Sequence, residues 1–202
     1  TLGLGSADVE VLTLTKITSA PKTLDIAAST FQTLLCGMGG GSVHAAGDAS
    51  MYLGYSDVTE GNVTTFAKTL SGAYKNVFIV LNNKFGLEYP GSLEVWGNGN
   101  NGQLGNGSTT PIAFSSDLTF SDISAQTASI STFLIFGVTT GGDLYYWGKQ
   151  NTGTIASPTL LLSGVKAAAN RHIIKTDGSL WVQDGSDSTT FKQVDPGPWT
   201  AV

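Results

Sequence analysis

The most informative stretch of the sequence is Gly91-Ser-Leu-Glu-Val-Trp-Gly97, which is followed by Asn98-Gly-Asn-Asn-Gly-Gln-Leu-Gly105. It opens on a turn glycine, continues as a short apolar strand that ends in Trp-Gly, and closes on a second glycine-rich turn. Related copies begin at Gly41 and Gly142. The stretch is therefore one unit of an internal repeat.

Two markers recur with one period. The glycine that ends each copy falls at Gly47, Gly97 and Gly148, at intervals of 50 and 51 residues. A Leu-Gly pair that ends at Gly54 recurs 51 residues later at Gly105. A fourth copy follows after only 36 residues, which predicts one shortened repeat. Two independent markers with the same period make a chance match improbable.

Each repeat has the pattern of short strands. Leu12-Thr-Leu-Thr15 alternates apolar and polar residues, which is typical of a half-buried strand. Phe78–Leu81 and Phe133–Phe136 are continuous apolar runs of the kind found in buried strands. The pairs Gly141-Gly142 and Asp177-Gly178 predict tight hairpin turns. No segment has a convincing helical pattern, so the sequence predicts an all-β protein.

Repeats of 36 to 51 residues with several short strands each predict a β-propeller of about four blades. We place the repeat boundaries near residues 6, 57, 108 and 159, within one propeller-type repeat domain that spans residues 1–202. Both ends of the sequence fall inside the repeat pattern. Because a partial propeller would expose strand edges and apolar blade faces, we expect more chain or another subunit to complete a larger ring.

The stretch from Gly91 to Ser108 resembles the repeat of the regulator of chromosome condensation family. That repeat combines a turn glycine, an apolar strand that ends in Trp-Gly, and a closing Gly-Gln-Leu-Gly. The copy at 142–156 lacks the Gln-Leu-Gly, and the copy at 41–54 has Ala46 in place of the tryptophan. The resemblance implies a propeller that usually closes with seven blades and acts by presenting a binding surface. The structural repeat markers are then Gly47, Gly54, Trp96, Gly97, Gly102, Gly105, Trp147 and Gly148.

Charge is sparse in this chain. Only 12% of the residues are charged, the formal net charge is −5, and Arg171 is the one arginine. Without a basic stripe to neutralise phosphates, nucleic-acid binding is disfavoured. No apolar run approaches the ~20 residues that a membrane-spanning helix needs. A polar surface of Thr, Ser, Asn and Gly is common in virion and extracellular proteins, and it favours these locations over the cytoplasm.

Motifs for cofactors and metals are weak. Residues Gly97 to Gly102 match the dinucleotide pattern Gly-x-Gly-x-x-Gly, but a turn sequence follows where the phosphate-binding helix should begin. His44 and His172 are the two histidines, and they occupy different repeat positions. A zinc site needs three or four closely spaced ligands. We therefore predict no cofactor and no metal.

Residues that could support catalysis are also few. The single cysteine, Cys36, lies in an apolar run and is expected to be a buried hydrophobe. Glu88 and Glu94 flank a turn and could form the carboxylate pair of a glycosidase, although such pairs arise easily by chance. We predict that the chain is not an enzyme.

One segment stands out as a candidate binding site. Asn82–Pro90 looks like a loop inserted between a strand and the Trp-Gly signature of the second repeat. Aromatic residues on a protruding loop are typical binding anchors. The alternative is that the segment folds back onto its own blade. The candidate protein-binding residues are Lys84, Phe85, Leu87, Glu88 and Tyr89.

Three functional hypotheses remain. The leading one is a structural or protein-interaction module in a larger assembly of protein subunits, with a phage tail, fibre, baseplate or capsid-surface protein as its most specific form. The second is a soluble regulator or enzyme inhibitor that binds one partner protein. The third is a glycan-binding propeller with a groove lined by Trp96, Trp147 or Trp181. Because Trp96 and Trp147 recur at one repeat position, we expect them to pack between blades instead.

Overall fold

The computed structural model describes residues 20–38, 41–48, 62–80, 82–97, 102–105, 112–113, 118–129, 132–185 and 189–201. The strand predicted at Leu12–Thr15, the marker Gly54 and the boundaries near residues 6, 57 and 108 lie outside these residues. In the described part of the chain every helix-or-strand element is a β-strand, and the strands form four antiparallel four-stranded sheets. The all-β prediction is confirmed.

Each sheet is a meander of four strands that are consecutive in sequence. The first sheet contains β1 (Thr23–Ala28), β2 (Gln32–Gly37), β3 (Val43–Asp48) and β4 (Asn62–Leu70). The second contains β5 (Tyr74–Val80), β6 (Asn83–Glu88), β7 (Leu93–Trp96) and β8 (Ile112–Ala113). The third contains β9 (Phe120–Ser129), β10 (Thr132–Thr139), β11 (Asp143–Gln150) and β12 (Gly153–Ser163). The fourth contains β13 (Val165–Ala169), β14 (His172–Lys175), β15 (Leu180–Gln183) and β16 (Phe191–Asp195).

The predicted hairpins form where the turn residues indicated. Gly141-Gly142 connects β10 to β11, and Asp177-Gly178 connects β14 to β15. The run Phe133–Phe136 is confirmed as a buried strand within β10. The prediction that Phe78–Leu81 forms a buried strand was wrong. Residues 78–80 end β5, the first strand of its sheet, and are only half-buried. The predicted repeat boundary near residue 159 falls inside β12.

The signature glycine has the same role in three sheets. Gly47, Gly97 and Gly148 follow the third strand's buried segment with φ values of 133°, 128° and 118°. A Cβ atom there would stand 2.3, 2.6 and 2.5 Å from a backbone carbonyl oxygen near the start of the second strand of the same sheet. Both the left-handed conformation and the close approach of two backbones require glycine.

The chain divides into two compact units, Thr1–Gly97 with Thr110–Phe114, and Asn98–Thr109 with Ser115–Val202. The first unit holds the first and second sheets, and the second unit holds the third and fourth. In each unit the two sheets pack face to face over an apolar core. The first core contains Leu34, Cys36, Val43 and Ala45 from one sheet with Tyr74, Val77 and Trp96 from the other. The second core contains Leu134, Phe136, Val138 and Leu144 with Val165, Ala168 and Ile173.

The Gly102-Gln-Leu-Gly105 segment packs within the second unit. Leu104 is fully buried, and the Gln103 carbonyl oxygen accepts a hydrogen bond from Trp147 Nε1 at 3.0 Å. A Cβ atom on Gly102 would stand 2.6 Å from Thr154 Cγ2. The second half of the repeat signature therefore fixes this segment to β11 and β12 of the third sheet.

Candidate functional site

The segment predicted to be a protruding binding loop is a strand instead. Asn83–Glu88 forms β6, which pairs with β5 on one side and β7 on the other. Lys84, Phe85 and Leu87 are fully buried. Because Lys84 and Phe85 point to opposite faces of the sheet, both faces of β6 are covered. These three side chains cannot act as exposed anchors, and the segment folds into its own blade.

The end of the same segment does reach the surface. Tyr89 follows β6 and is 75% exposed, and Glu88 is half-buried. Tyr89 stands at the rim of an open groove of about 340 Å³ in the first unit. The groove also contains Leu24, Met38 and Lys75.

Three segments of the chain supply the exposed apolar side chains of this groove. Leu24 comes from the start of β1, Met38 from the turn after β2, and Tyr89 from the turn after β6. The backbone holds the turns in place, because Met38 N donates to the Lys22 carbonyl oxygen at 2.6 Å and Tyr89 N donates to the Ala73 carbonyl oxygen at 2.9 Å. Hydrogen-bonded turns of two packed sheets therefore hold the side chains of Met38 and Tyr89 in the groove.

The groove has a backbone floor. Gly41 lies there with φ 61°, and its carbonyl oxygen accepts a hydrogen bond from Tyr74 N at 3.2 Å. A Cβ atom on Gly41 would stand 2.5 Å from both the N and O atoms of Tyr74. Any other residue at position 41 would therefore clash with β5 and fill part of the groove.

The groove is apolar with one charged side chain at its edge. Leu24 is 57% exposed, Met38 is 60% exposed, and both lie in the same groove as Tyr89. Lys75 supplies the positive charge among the lining residues. Large apolar side chains that share one groove on a surface are typical of a protein-binding site, and methionine and tyrosine are favoured in such sites.

Two acidic residues neighbour residues of the groove, because Glu88 precedes Tyr89 and Glu94 is bonded to Tyr74. Glu94 is opposite Gly86 across the β6–β7 ladder, so Glu88 is its diagonal neighbour on the same face. The Tyr74 hydroxyl donates a hydrogen bond to Glu94 Oε2. Burial and the nearby Glu94 carboxylate raise the pKa of Glu88. The carboxylates predicted as a possible pair are thus neighbours, and one of them is held by a tyrosine that belongs to the core.

The single cysteine is part of the fold. Cys36 Sγ donates to the Tyr74 carbonyl oxygen at 2.9 Å, across the two sheets of the first unit. Burial, together with the nearby Asp25 carboxylate, raises its pKa to about 11. The group is therefore a neutral thiol at physiological pH, which matches the prediction of a buried hydrophobe.

The histidines are separated in the structure. His44 belongs to β3 of the first sheet, and His172 begins β14 of the fourth. Burial and the charge of Lys68 lower the pKa of His44. Within the residues that the structure describes, no three His, Cys, Asp or Glu side chains come together as a metal site would require.

Trp96 and Trp147 do not line the groove of the glycan-binding hypothesis. Trp96 and Trp147 are fully buried, and Trp96 belongs to the core between the first and second sheets. The expectation that they pack inside is confirmed, and each lies in the third strand of its sheet. Trp181 is partly exposed, and its ring lies 5.5 Å from Lys175 Nζ.

Sequence reasoning missed Leu24 and Met38. Leu24 reads as an ordinary apolar residue of a strand, and only the fold brings it next to Tyr89. Met38 carried a signal, because it lies in Gly37-Met-Gly-Gly-Gly41. A large apolar residue in an otherwise glycine-only turn has few neighbours of its own to cover it.

No protein-family model matches the sequence, and no curated protein matches it. Within the described residues the structure contains no helix with the length and hydrophobicity needed to cross a bilayer. Solved structures do match. Human WBSCR16 matches 84% of this chain and 51% of its own, with a TM-score of 0.68 and 15% identity. Prp20p from Saccharomyces cerevisiae matches 92% of this chain and 52% of its own, with a TM-score of 0.63 and 17% identity.

A third match is yeast RCC1 (Prp20) in its crystal structure with Kap60. It covers 78% of this chain and 42% of its own, with a TM-score of 0.59 and 18% identity. These similarities confirm the resemblance that the Trp-Gly and Gly-Gln-Leu-Gly signatures predicted. The chain has the fold of the RCC1-like (regulator of chromosome condensation) propellers, and it spans about half the length of those that it matches.

Proposed function

We propose that this chain is a non-catalytic protein-interaction module that works within a larger assembly of protein subunits. The observation that carries the proposal is the apolar groove, in which Leu24, Met38 and Tyr89 are exposed together. Burying these side chains against a partner would remove a large apolar area from water, at about 25 cal/mol per Å².

The structural matches support a binding role. Yeast RCC1 (Prp20) was crystallised with Kap60, and the structure of Prp20p was described together with its binding to Gsp1p and histones. Prp20 is therefore a protein with this fold that binds other proteins. For this chain the display of a partner site on a rigid scaffold is the corresponding role.

The positions of Cys36 and Glu94, whose residue types can act in catalysis, support a non-catalytic role. The Cys36 thiol is protonated and donates to the Tyr74 carbonyl oxygen, so it is not an activated nucleophile. Glu94 accepts a hydrogen bond from the Tyr74 hydroxyl and is thereby tied to the core. The Cys36 bond joins the first two sheets, and the Glu94 bond lies within the second sheet. Both are structural uses of residues that elsewhere perform catalysis.

The narrower form of the proposal is a virion component, such as a phage tail, fibre, baseplate or capsid-surface protein. It is supported by composition, with 12% charged residues and 26 glycines. The native mass of the particle that carries the chain separates the alternatives. A megadalton particle with many copies supports the assembly. A mass near that of one propeller would instead support a soluble regulator or inhibitor.

The groove itself is tested with surface variants. Met38→Asp and Tyr89→Ala change exposed side chains in the groove, and Phe31→Ala changes an exposed aromatic residue between β1 and β2 that does not line it. A photo-crosslinking residue at position 89 identifies the contacted subunit in the native particle. We expect each groove variant to weaken binding of that subunit at least ~10-fold, which is about 1.4 kcal/mol, and Phe31→Ala to leave it unchanged. Equal affinities for all three variants would disprove the groove as the contact.

A further inference from the structure

The first strands of the four sheets share a β-bulge. In each of them the pairing with the second strand shifts register after the first residue, so one extra residue stands between two paired positions. A bulge re-aims the side chain of its extra residue relative to the regular alternation of the strand. The extra residues are Leu24, Lys75, Ser121 and Lys166.

Two of these bulge side chains line the groove of the first unit. Leu24 reaches the groove from β1, and Lys75 reaches it from β5. Leu24 belongs to the exposed apolar surface that also contains Met38 and Tyr89, and Lys75 adds a positive charge to this surface. The groove therefore presents one cation beside large apolar side chains, and a feature that the fold repeats in every sheet directs two of them.

The charge of Lys75 is available to a ligand. Among the residues that the structure describes, no carboxylate forms an ion pair with Lys75. Glu88 belongs to the neighbouring strand, but its carboxylate is turned toward Gly72 and accepts a hydrogen bond from the Ala73 backbone N–H. Because a partly buried ammonium beside an apolar surface gains from a charged acceptor, this arrangement favours an incoming carboxylate.

The backbone of the groove is largely hydrogen-bonded within the chain. The N–H groups of four lining residues already donate to carbonyl oxygens, and these residues are Gly37, Met38, Tyr74 and Tyr89. A peptide that joins a sheet as an added strand needs backbone groups that are free to pair with it. These four donors cannot serve that purpose, which favours a ligand held through its side chains.

We propose that the groove binds an acidic segment of a partner protein, in which an aromatic residue is flanked by aspartate or glutamate. The aromatic side chain packs against Met38 and Tyr89, because thioether and phenol groups both make favourable contacts with aromatic rings. A neighbouring carboxylate pairs with the Lys75 ammonium. The volume of about 340 Å³ is near the lower end of ligand sites, which suits one anchor side chain and its neighbours. The inference rests on the proposed function, since it names what the groove would bind.

Selection of a displayed library of random peptides on the immobilised chain tests the inference. We expect the wild type to enrich peptides in which an aromatic residue lies beside aspartate or glutamate. Lys75→Glu should instead enrich peptides with lysine or arginine beside the aromatic residue, because the charge in the groove is reversed. Lys166→Glu is the matched control, since Lys166 is the exposed bulge residue of the fourth sheet and does not line the groove. It should enrich the same peptides as the wild type.

The affinity of one enriched peptide, measured by fluorescence anisotropy, gives the size of the effect. Lys75→Met should weaken binding about 3-fold, as expected for a partly exposed ion pair, and Lys75→Glu about 10-fold. Lys75→Arg keeps the charge and should bind as the wild type does. Raising the salt concentration from about 50 to about 500 mM should weaken binding to the wild type and leave binding to Lys75→Met unchanged.

The outcomes separate this inference from the proposed function. Enrichment of aromatic peptides without an acidic preference, or an acidic preference that survives Lys75→Glu, would overturn the acidic ligand and leave the groove as a binding site. Equal enrichment of the same peptides by Met38→Asp would place binding outside the groove and would count against both proposals. A wild type that enriches no peptide over Met38→Asp would overturn a linear segment as the ligand, while crosslinking at position 89 still tests the groove.

Discussion

The buried Lys84 makes the stability of the first unit depend on pH. Its side chain is fully buried on β6, opposite Trp96 of β7, and Nζ donates to the Asn82 carbonyl oxygen at 3.0 Å. Burial lowers its pKa from 10.5 to about 7, and the charge of Asp48 offsets part of this effect. The folded chain therefore releases a proton that the unfolded chain keeps until much higher pH.

The sign and size follow from that shift. Between pH values of about 7 and 10.5 the unfolded state binds more protons than the folded state, so the unfolding free energy rises with pH. Because one pKa unit corresponds to about 1.4 kcal/mol, the rise between pH 6.5 and 8.5 is about 2 kcal/mol. Below the folded pKa the full penalty for burying the charged ammonium is present. Cys36 titrates above this window and His44 contributes equally to all variants compared.

Lys84→Met tests this reasoning, because methionine has a similar length and no charge. Urea unfolding followed by tryptophan fluorescence at pH 6.5, 7.5 and 8.5 gives the free energy at each pH. We expect the variant to lose the rise of about 2 kcal/mol, and so to gain most on the wild type at pH 6.5. Lys166→Met, at an exposed position, should keep the wild-type dependence. The same pH slope in wild type and Lys84→Met would refute the argument.

Two further substitutions test the repeat signature. Gly97→Ala should lower the unfolding free energy by about 2 kcal/mol or more, because its Cβ would lie 2.6 Å from the Asn82 carbonyl oxygen at positive φ. Gly153→Ala, which meets nothing within 4 Å, should cost less in the same urea titration, and equal losses would exclude the clash as the cause. Trp147→Phe removes the bond to the Gln103 carbonyl oxygen and should cost about 1 to 3 kcal/mol. An unchanged unfolding midpoint would show that this bond contributes nothing.

The repeat markers predicted the sheets because each marker position has a physical requirement that few residue types can meet. Gly97 and Gly148 are needed where two backbones meet, Trp96 packs between the first and second sheets, and Trp147 is fully buried. The glycine is required in three of the four sheets, so it appears as a period in the sequence. The predicted propeller resemblance followed from them.

The binding site could be predicted only in part. Phe85 and Leu87 alternate with Lys84 and Glu88, a strand pattern that the comparison with the shorter fourth repeat concealed. That comparison took Phe78–Leu81 as the strand directly before the Trp-Gly signature, so that β6 looked like an inserted loop. The groove draws its apolar side chains from one strand and two turns, and no local pattern encodes which of these segments the fold brings together.

The hydrogen bond from Trp147 to Gln103 has a consequence for anyone who would shorten, lengthen or shuffle this chain. The period in the sequence invites a cut after Gly97, where a signature strand ends. The segment from Gly102 to Gly105 is anchored on the third sheet, 44 residues further along at Trp147. A cut after Gly97 would separate the segment Gly102–Gly105 from the strands that precede it in sequence and leave it with the third sheet. A cassette that begins after Gly105 would leave Trp147 without its acceptor, so an exchangeable module has to include both ends of this bond.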